Sequence, residues 1–128
     1  MNRKGLTLIE LVLVIAILGM LALWALPKFF NLSSEAERAD RDGVVGAVRS
    51  SIALHKANDM VAKGGMWSYP RRLDRNARGV CKSCFDKVLP VGVDDERWTK
   101  QSATTYAFDD GKRVYKYMYD SSIGTFTR

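Results

Sequence analysis

Residues 11–26 carry no charge, and a single carboxylate, Glu10, stands just inside the apolar helix that this run belongs to. The stretch 6–26 reaches the length of about 20 mostly apolar residues that a membrane-spanning helix needs. A lone acid in such a segment costs roughly 2.5 to 3.5 kcal/mol on insertion scales, so a partner from outside this chain is expected to neutralise Glu10. Arg3 and Lys4, together with the initiator amine, put positive charge on the short side. The positive-inside rule then keeps that end in the cytoplasm and exports the rest, an N-in, C-out topology.

Two ordinary segments share part of this pattern. A secretory signal peptide ends in a small-x-small cleavage site, for which Leu23-Trp24-Ala25 followed by Leu26-Pro27 is a poor match. A plain signal anchor explains length and orientation, but neither Glu10 nor the glycine directly after Arg3-Lys4. The residues Gly5-Leu6-Thr7-Leu8-Ile9-Glu10-Leu11, followed by an apolar helix with Gly19 and then Pro27, resemble the class III signal of type IV pilins and type II secretion pseudopilins.

The resemblance implies that a prepilin peptidase cuts between Gly5 and Leu6 on the cytoplasmic face and methylates the new amino terminus. Glu10 then falls fifth after the cut and Pro27 twenty-second, as in the family, while Leu6 stands where phenylalanine is usual. Physics gives the acid a reason of its own. The cut chain begins with an amine in apolar surroundings, and a carboxylate about one turn away invites a pair with a neighbouring subunit's amine. Removing one member of a buried pair typically costs about 3–5 kcal/mol. The alternative is an acid at the membrane interface, favoured by the helix dipole by about 0.3–1 kcal/mol.

By the same resemblance the fold is α+β: a long N-terminal helix packed on a small antiparallel sheet of about three strands, the pilin fold. Residues 1–5 are the leader and 6–27 the transmembrane and filament-core helix. Residues 28–128 are a periplasmic globular domain made of the amphipathic half of the helix, a loop and a C-terminal sheet. Pro27 predicts a bend or loosening rather than a stop, and Gly19 is a second weak point. Ser33-Ser34-Glu35 reads as a cap in isolation, but the family continues the helix through it. Trp24, Phe29 and Phe30 are expected as filler in an assembled helical core.

From 35 to 63 the pattern is amphipathic, with Val44, Ala47, Val48, Ser51, Leu54, Val61 and Ala62 near one face and Ile52 on its flank. Gly64-Gly65 ends the helix, since glycine takes the left-handed conformation freely. A helix over 6–63 would measure about 87 Å at 1.5 Å per residue, and only a membrane or a filament could cover its first half. Residues 66–100 read as a loop anchored by Trp67, Val88, Leu89, Val91 and Trp98. Segments 104–108, 113–119 and 125–127 read as a three-stranded meander, with Asp109-Asp110-Gly111-Lys112 as a hairpin turn. Tyr115, Tyr117 and Tyr119 share one strand face. Either face of that strand could meet the helix, and cross-strand aromatic packing is the expected reason for the tyrosines.

The 128 residues leave room for one modest exported domain. Without Arg3 and Lys4 the 20 basic side chains fall to 18 against 14 acids, so a net +6 becomes +4. Arg71, Arg72, Arg75, Arg78, Lys82 and Lys87 cluster in one stretch, expected to be a solvated loop offset by Asp74 and Asp86. Nucleic acid is an open alternative partner. Cys81 and Cys84 form Cys-x-x-Cys outside the membrane, where a disulfide is the default, with a small entropic gain for so short a loop. A thioredoxin-like motif needs a βαβ setting that the sequence does not offer. A zinc site needs about four ligands, and the chain adds only His55, expected on the helix surface. Asp94-Asp95-Glu96 is expected to be a solvated acidic turn rather than a calcium loop.

With no phosphate loop, nucleophile elbow or triad, no enzyme and no cofactor are expected. Pro27-Lys28-Phe29-Phe30-Asn31-Leu32-Ser33 looks like the type IVa pilins, and the resemblance covers residues 4–57; beyond Gly64 it is architectural. It implies a structural subunit of a type IV pilus, with a type II secretion pseudopilin as the alternative. Its implied partners are further copies in a helical filament, the prepilin peptidase, an inner-membrane assembly platform and a cytoplasmic ATPase. Before assembly the chain would span the inner membrane once, and afterwards it would lie in an extracellular pilus or periplasmic pseudopilus. A membrane-anchored periplasmic thiol oxidoreductase using Cys81 and Cys84 is the contrasting hypothesis.

Overall fold

The computed structural model describes residues 5–128, apart from the side chains of Phe30 and Asn31. Arg3 and Lys4, with most of the expected leader, lie outside the described residues, as does the filler role expected of the Phe30 ring. One helix, α1 (Leu8–Ala62), is followed by five strands: β1 (Gly79–Cys84), β2 (Val93–Lys100), β3 (Thr105–Asp109), β4 (Val114–Asp120) and β5 (Thr125–Thr127). The chain divides into two compact units, Met1–Ala36 and Glu37–Arg128.

In the first unit α1 continues through Pro27 and through Ser33-Ser34-Glu35 without a break. Proline lacks an amide hydrogen, so the Leu23 carbonyl has no donor four residues on. The apolar window of this helix has a mean hydropathy of 2.6, and none of it is buried.

In the second unit α1 packs on the sheet through Val45, Val48 and Ile52, which are buried. This face is rotated from the expected one. Ile52 lies at its centre rather than its flank, while Leu54 and Val61 are 61% and 85% exposed. The cause is what borders the stripe. Arg41 lays its guanidinium 4.4 Å from the Tyr115 ring centroid and Lys56 its ammonium 3.9 Å from that of Trp67, so long polar side chains occupy helix positions that an apolar count passes over. Gly64 (φ 61°) and Gly65 (φ 100°) end the helix. The Gly65 amide donates to the Met60 carbonyl at 2.9 Å, the long bond of a Schellman motif.

The sheet is antiparallel throughout, in the order β1-β2-β3-β4-β5. It has five strands where about three were expected, because β1 and β2 occupy residues read as loop. Two causes hid them. The register of β1 on β2 shifts between Val80 and Cys81 and again between Cys81 and Cys84, and shifts of this kind erase strict alternation. In β2, Val-Asp-Asp-Glu-Arg-Trp-Thr-Lys is mostly charged. The expected meander matches β3, β4 and β5.

The tyrosine face of β4 turns inward: Tyr115, Tyr117 and Tyr119 are buried, and Val114, Lys116 and Met118 are exposed. Tyr117 stacks on Phe126 with centroids 5.5 Å apart. Phe85 meets Trp98, Tyr106 and Phe126 at 4.5–5.8 Å. Of the expected loop anchors, Trp98 is buried and Val88 and Leu89 half-buried, whereas Trp67 and Val91 are exposed. Leu73 and Phe85 anchor the segment instead.

Candidate functional site

Helix α1 begins with a local device. Thr7 is the last residue before the helix, and its Oγ1 accepts the Glu10 amide at 3.3 Å. The Thr7 carbonyl accepts the Leu11 amide at 3.1 Å. Threonine at the N-cap with glutamate three residues on is the capping-box pattern, legible as Thr-x-x-Glu. It places Glu10 in the first turn, where the dipole favours a negative charge.

The Glu10 carboxylate itself has no hydrogen-bond or ion-pair partner among the described residues. Around it Leu6, Leu8, Ile9 and Leu13 are 60–81% exposed. An apolar surface this continuous marks a membrane or protein contact. A Cβ added at Gly5 or at Gly19 would meet nothing within 4 Å. Neither glycine is therefore required by packing among the described residues, and Gly19 lowers helix stability by about 1 kcal/mol relative to alanine. In a membrane, small residues of this kind let helices approach closely. Leu6 lies just before the helix, and Pro27 lies inside it. The structure thus puts Gly5 and Leu6 just before α1, and Glu10, Gly19 and Pro27 within its uncovered first part.

The other sequence candidates fall in the second unit. Cys81 and Cys84 form a disulfide with Cα atoms 5.1 Å apart. Both are buried, and they staple the edge strand β1 rather than a loop. Thiol exchange needs an accessible sulfur, which burial withholds. Asp94, Asp95 and Glu96 lie in β2, not in a turn, and Asp95 offers both carboxylate oxygens to Arg97 at 2.8–3.1 Å. That bonding, ahead of burial, which opposes it, holds the Asp95 carboxyl below its ordinary pKa. Arg97 also bonds Asp40 on α1. His55 is exposed on the helix. Among the described residues no three His, Cys, Asp or Glu side chains gather as a metal site.

One group escaped the sequence reading. Asp74, expected to offset the basic loop, is buried and ion-paired with buried Lys100. Tyr106 donates its hydroxyl to Asp74 Oδ2 at 2.7 Å. Burial, then the Asp74 hydrogen bond and charge, push the Tyr106 phenol well above its ordinary pKa. The two ionic partners lie 26 residues apart, and nothing local signals the pair.

Comparison with known proteins bears on the first of these sites. Residues 1–26 match the prokaryotic N-terminal methylation motif. The chain is 46% identical over 54 residues to the type IV narrow pilus major component PilA5 of Thermus thermophilus, covering 42% of this chain and 47% of that protein. It is 38% identical over 56 residues to a fimbrial protein of Moraxella nonliquefaciens, covering 44% of this chain and 36% of that one. The chain therefore spans less than half the length of either curated relative. No solved structure matches it. The opening segment is an N-methylation signal of the class III prepilin type, and these similarities are consistent with a type IV pilin.

Proposed function

We propose that this chain is a structural subunit of a type IV pilus, cut after Gly5, methylated at Leu6 and assembled through α1. The observation that carries the reading is a coincidence of place. The methylation motif covers residues 1–26, the same stretch in which an apolar helix and its one carboxylate are left without a partner among the described residues. Both relatives are named for pili or fimbriae, which favours a pilus over a secretion pseudopilus.

In the proposed cycle the precursor waits in the inner membrane, N-in and C-out, with the sheet domain outside. The prepilin peptidase frees the Leu6 amine. The carboxylate of Glu10 then meets the amine of a neighbouring copy, and apolar burial of helix against helix holds the bundle. Gly19 permits close approach, and Pro27, which removes one backbone hydrogen bond, lets the segment loosen as subunits pack. A membrane platform and a cytoplasmic ATPase supply the work of extraction. The apolar helix and the sheet domain thus divide the labour, one building the fibre and the other forming its surface.

Mass spectrometry of filaments sheared from cells tests the reading. The expected result is a subunit beginning with methylated Leu6. A mature terminus near Leu26, or a chain absent from every filament fraction, would overturn it.

A further inference from the structure

The Asp74–Lys100 ion pair is enclosed at both ends, with side-chain exposures of 0% and 6%. The pairs made by Arg41, Lys63 and Arg97 each leave a partner 39–66% exposed. An ion pair kept from water is a costly arrangement, because desolvation of both charges offsets much of their attraction. Its neighbours are apolar. Leu73 adjoins Asp74, and the rings of Phe85 and Tyr106 lie 4.5 Å apart, all three residues at 0% exposure.

The two oxygens of this carboxylate have different company. Oδ1 accepts the Lys100 ammonium and, at 3.2 Å, the Asn76 amide. Oδ2 accepts the Tyr106 hydroxyl at 2.7 Å and the Phe85 amide at 3.4 Å. The Lys100 ammonium also donates to the Asn76 carbonyl at 2.7 Å. One oxygen therefore faces the amine and its protons, while the other carries two fixed donors of the kind that stabilise an oxyanion.

We infer that Asp74 and Lys100 condense in the folded chain into an intramolecular amide, a covalent cross-link between the segment before β1 and the end of β2. A proton passes from Lys100 Nζ to Asp74 Oδ1, leaving a neutral amine and a neutral acid, the form that apolar surroundings favour. The amine lone pair attacks Cγ, forming the Nζ–Cγ bond and placing negative charge on Oδ2, where Tyr106 and Phe85 donate. A second Nζ proton moves to Oδ1. The Cγ–Oδ1 bond then breaks, water leaves, and Oδ2 becomes the amide carbonyl, with nothing oxidised or reduced. The product inherits its hydrogen bonds: the remaining N–H keeps the Asn76 carbonyl and Oδ2 keeps its two donors. Only the Asn76 amide gives up its acceptor. Two buried charges become one neutral group. Well-placed reacting groups reach effective molarities of about 10⁵–10⁸ M, which favours condensation over hydrolysis in an enclosed site. The cross-link closes the β1–β2 hairpin across 26 residues, whereas the Cys81–Cys84 bridge spans only 3. It is a property of the folded exported domain and does not rest on the filament reading.

The test is mass spectrometry of the full chain, purified folded in non-ionic detergent, first intact and then after trypsin. Wild type is expected to be lighter than its residues and disulfide require by one water. Its digest should contain a branched peptide joining residues 73–75 to 98–112, uncut at Lys100 because trypsin does not cleave after an acylated lysine. These peptides lie far from the leader, so the result is the same whether or not residues 1–5 are removed. Lys100→Arg should keep its full mass, since a guanidinium does not condense, and so should Asp74→Asn, whose amide cannot take the ammonium's proton. Tyr106→Phe, which removes one oxyanion donor, should lose water about a hundredfold more slowly. The more exposed Lys63–Asp59 pair is the internal control and should stay unlinked. Full mass in folded wild type after prolonged incubation would overturn the cross-link, whichever variants fold. Water loss with linear peptides alone would show backbone cyclisation at Asp110-Gly111 instead, and equally defeats the proposal.

Discussion

Asp74 gathers four donors on one buried carboxylate: the Lys100 ammonium and the Asn76 amide on Oδ1, and the Tyr106 hydroxyl and the Phe85 amide on Oδ2. Removing its charge strands a buried lysine. Asp74→Asn should therefore cost about 3–5 kcal/mol in a urea unfolding curve, while Asp74→Leu combined with Lys100→Met should lose less than Asp74→Leu alone, because removing the lysine with the acid leaves no charge uncompensated. A second buried residue gives a pH signature. Tyr119 donates to the Pro70 carbonyl at 2.6 Å, and burial first, then the nearby Tyr69 and Asp120, raise its pKa from 10.0 to about 12. Since the folded value exceeds the unfolded one, its contribution is complete below pH 10.0 and is lost as pH rises toward about 12. Denaturation midpoints should fall across that window in wild type and fall less in Tyr119→Phe. Neither member of the Asp74–Lys100 pair is legible in isolation. Asp74 sits among arginines and Lys100 in a charged run, so each reads as solvated until the chain closes over both.

At the scale of elements, legibility followed regularity. Strand β4 alternates without a break and β3–β4 is closed by Asp-Asp-Gly-Lys, in which Asp110 Oδ1 accepts the Lys112 and Arg113 amides at 2.8 and 2.6 Å. Both were visible in the residue pattern. Strands β1 and β2 were not, because their pairing is interrupted by register shifts and β2 is rich in charge. The helix end was visible in Gly64-Gly65, but its packing face was misplaced because Arg41 and Lys56 cover rings that an apolar count ignores. The β4–β5 turn shows a constraint that only packing reveals. Gly124 has φ 68°, and a Cβ there would lie 2.2 Å from the Tyr69 ring. Gly124→Ala should lower stability by about 1–3 kcal/mol through backbone strain and overpacking. Tyr69 touches Trp67 edge-on at 5.2 Å, so displaced tyrosine should also shift Trp67 fluorescence. An unchanged midpoint would mean that the ring moves aside at no cost.

For the whole molecule, the proposed filament gives each copy two different half-interfaces: it offers its amine to one neighbour and its Glu10 carboxylate to another. Such a head-to-tail arrangement propagates without closing, which is how an open helical fibre grows. The consequence is an asymmetry between the two sides of a variant copy. Glu10→Ala removes the acid but leaves the Leu6 amine intact, so a variant copy still satisfies the Glu10 of a wild-type neighbour. Expressed alone, the variant should be cut after Gly5 and methylated, because residues 5 and 6 are unchanged, yet yield few or no filaments. Co-expressed with wild type, it should enter filaments as a minority, since every variant copy leaves one amine unpaired at a cost of about 3–5 kcal/mol if that amine is fully buried. Quantitative mass spectrometry of sheared filaments measures both the fraction and the methylation. Wild-type filament yield from the variant alone would remove the pairing role from Glu10 and leave the apolar helix surface as the sole driver of assembly.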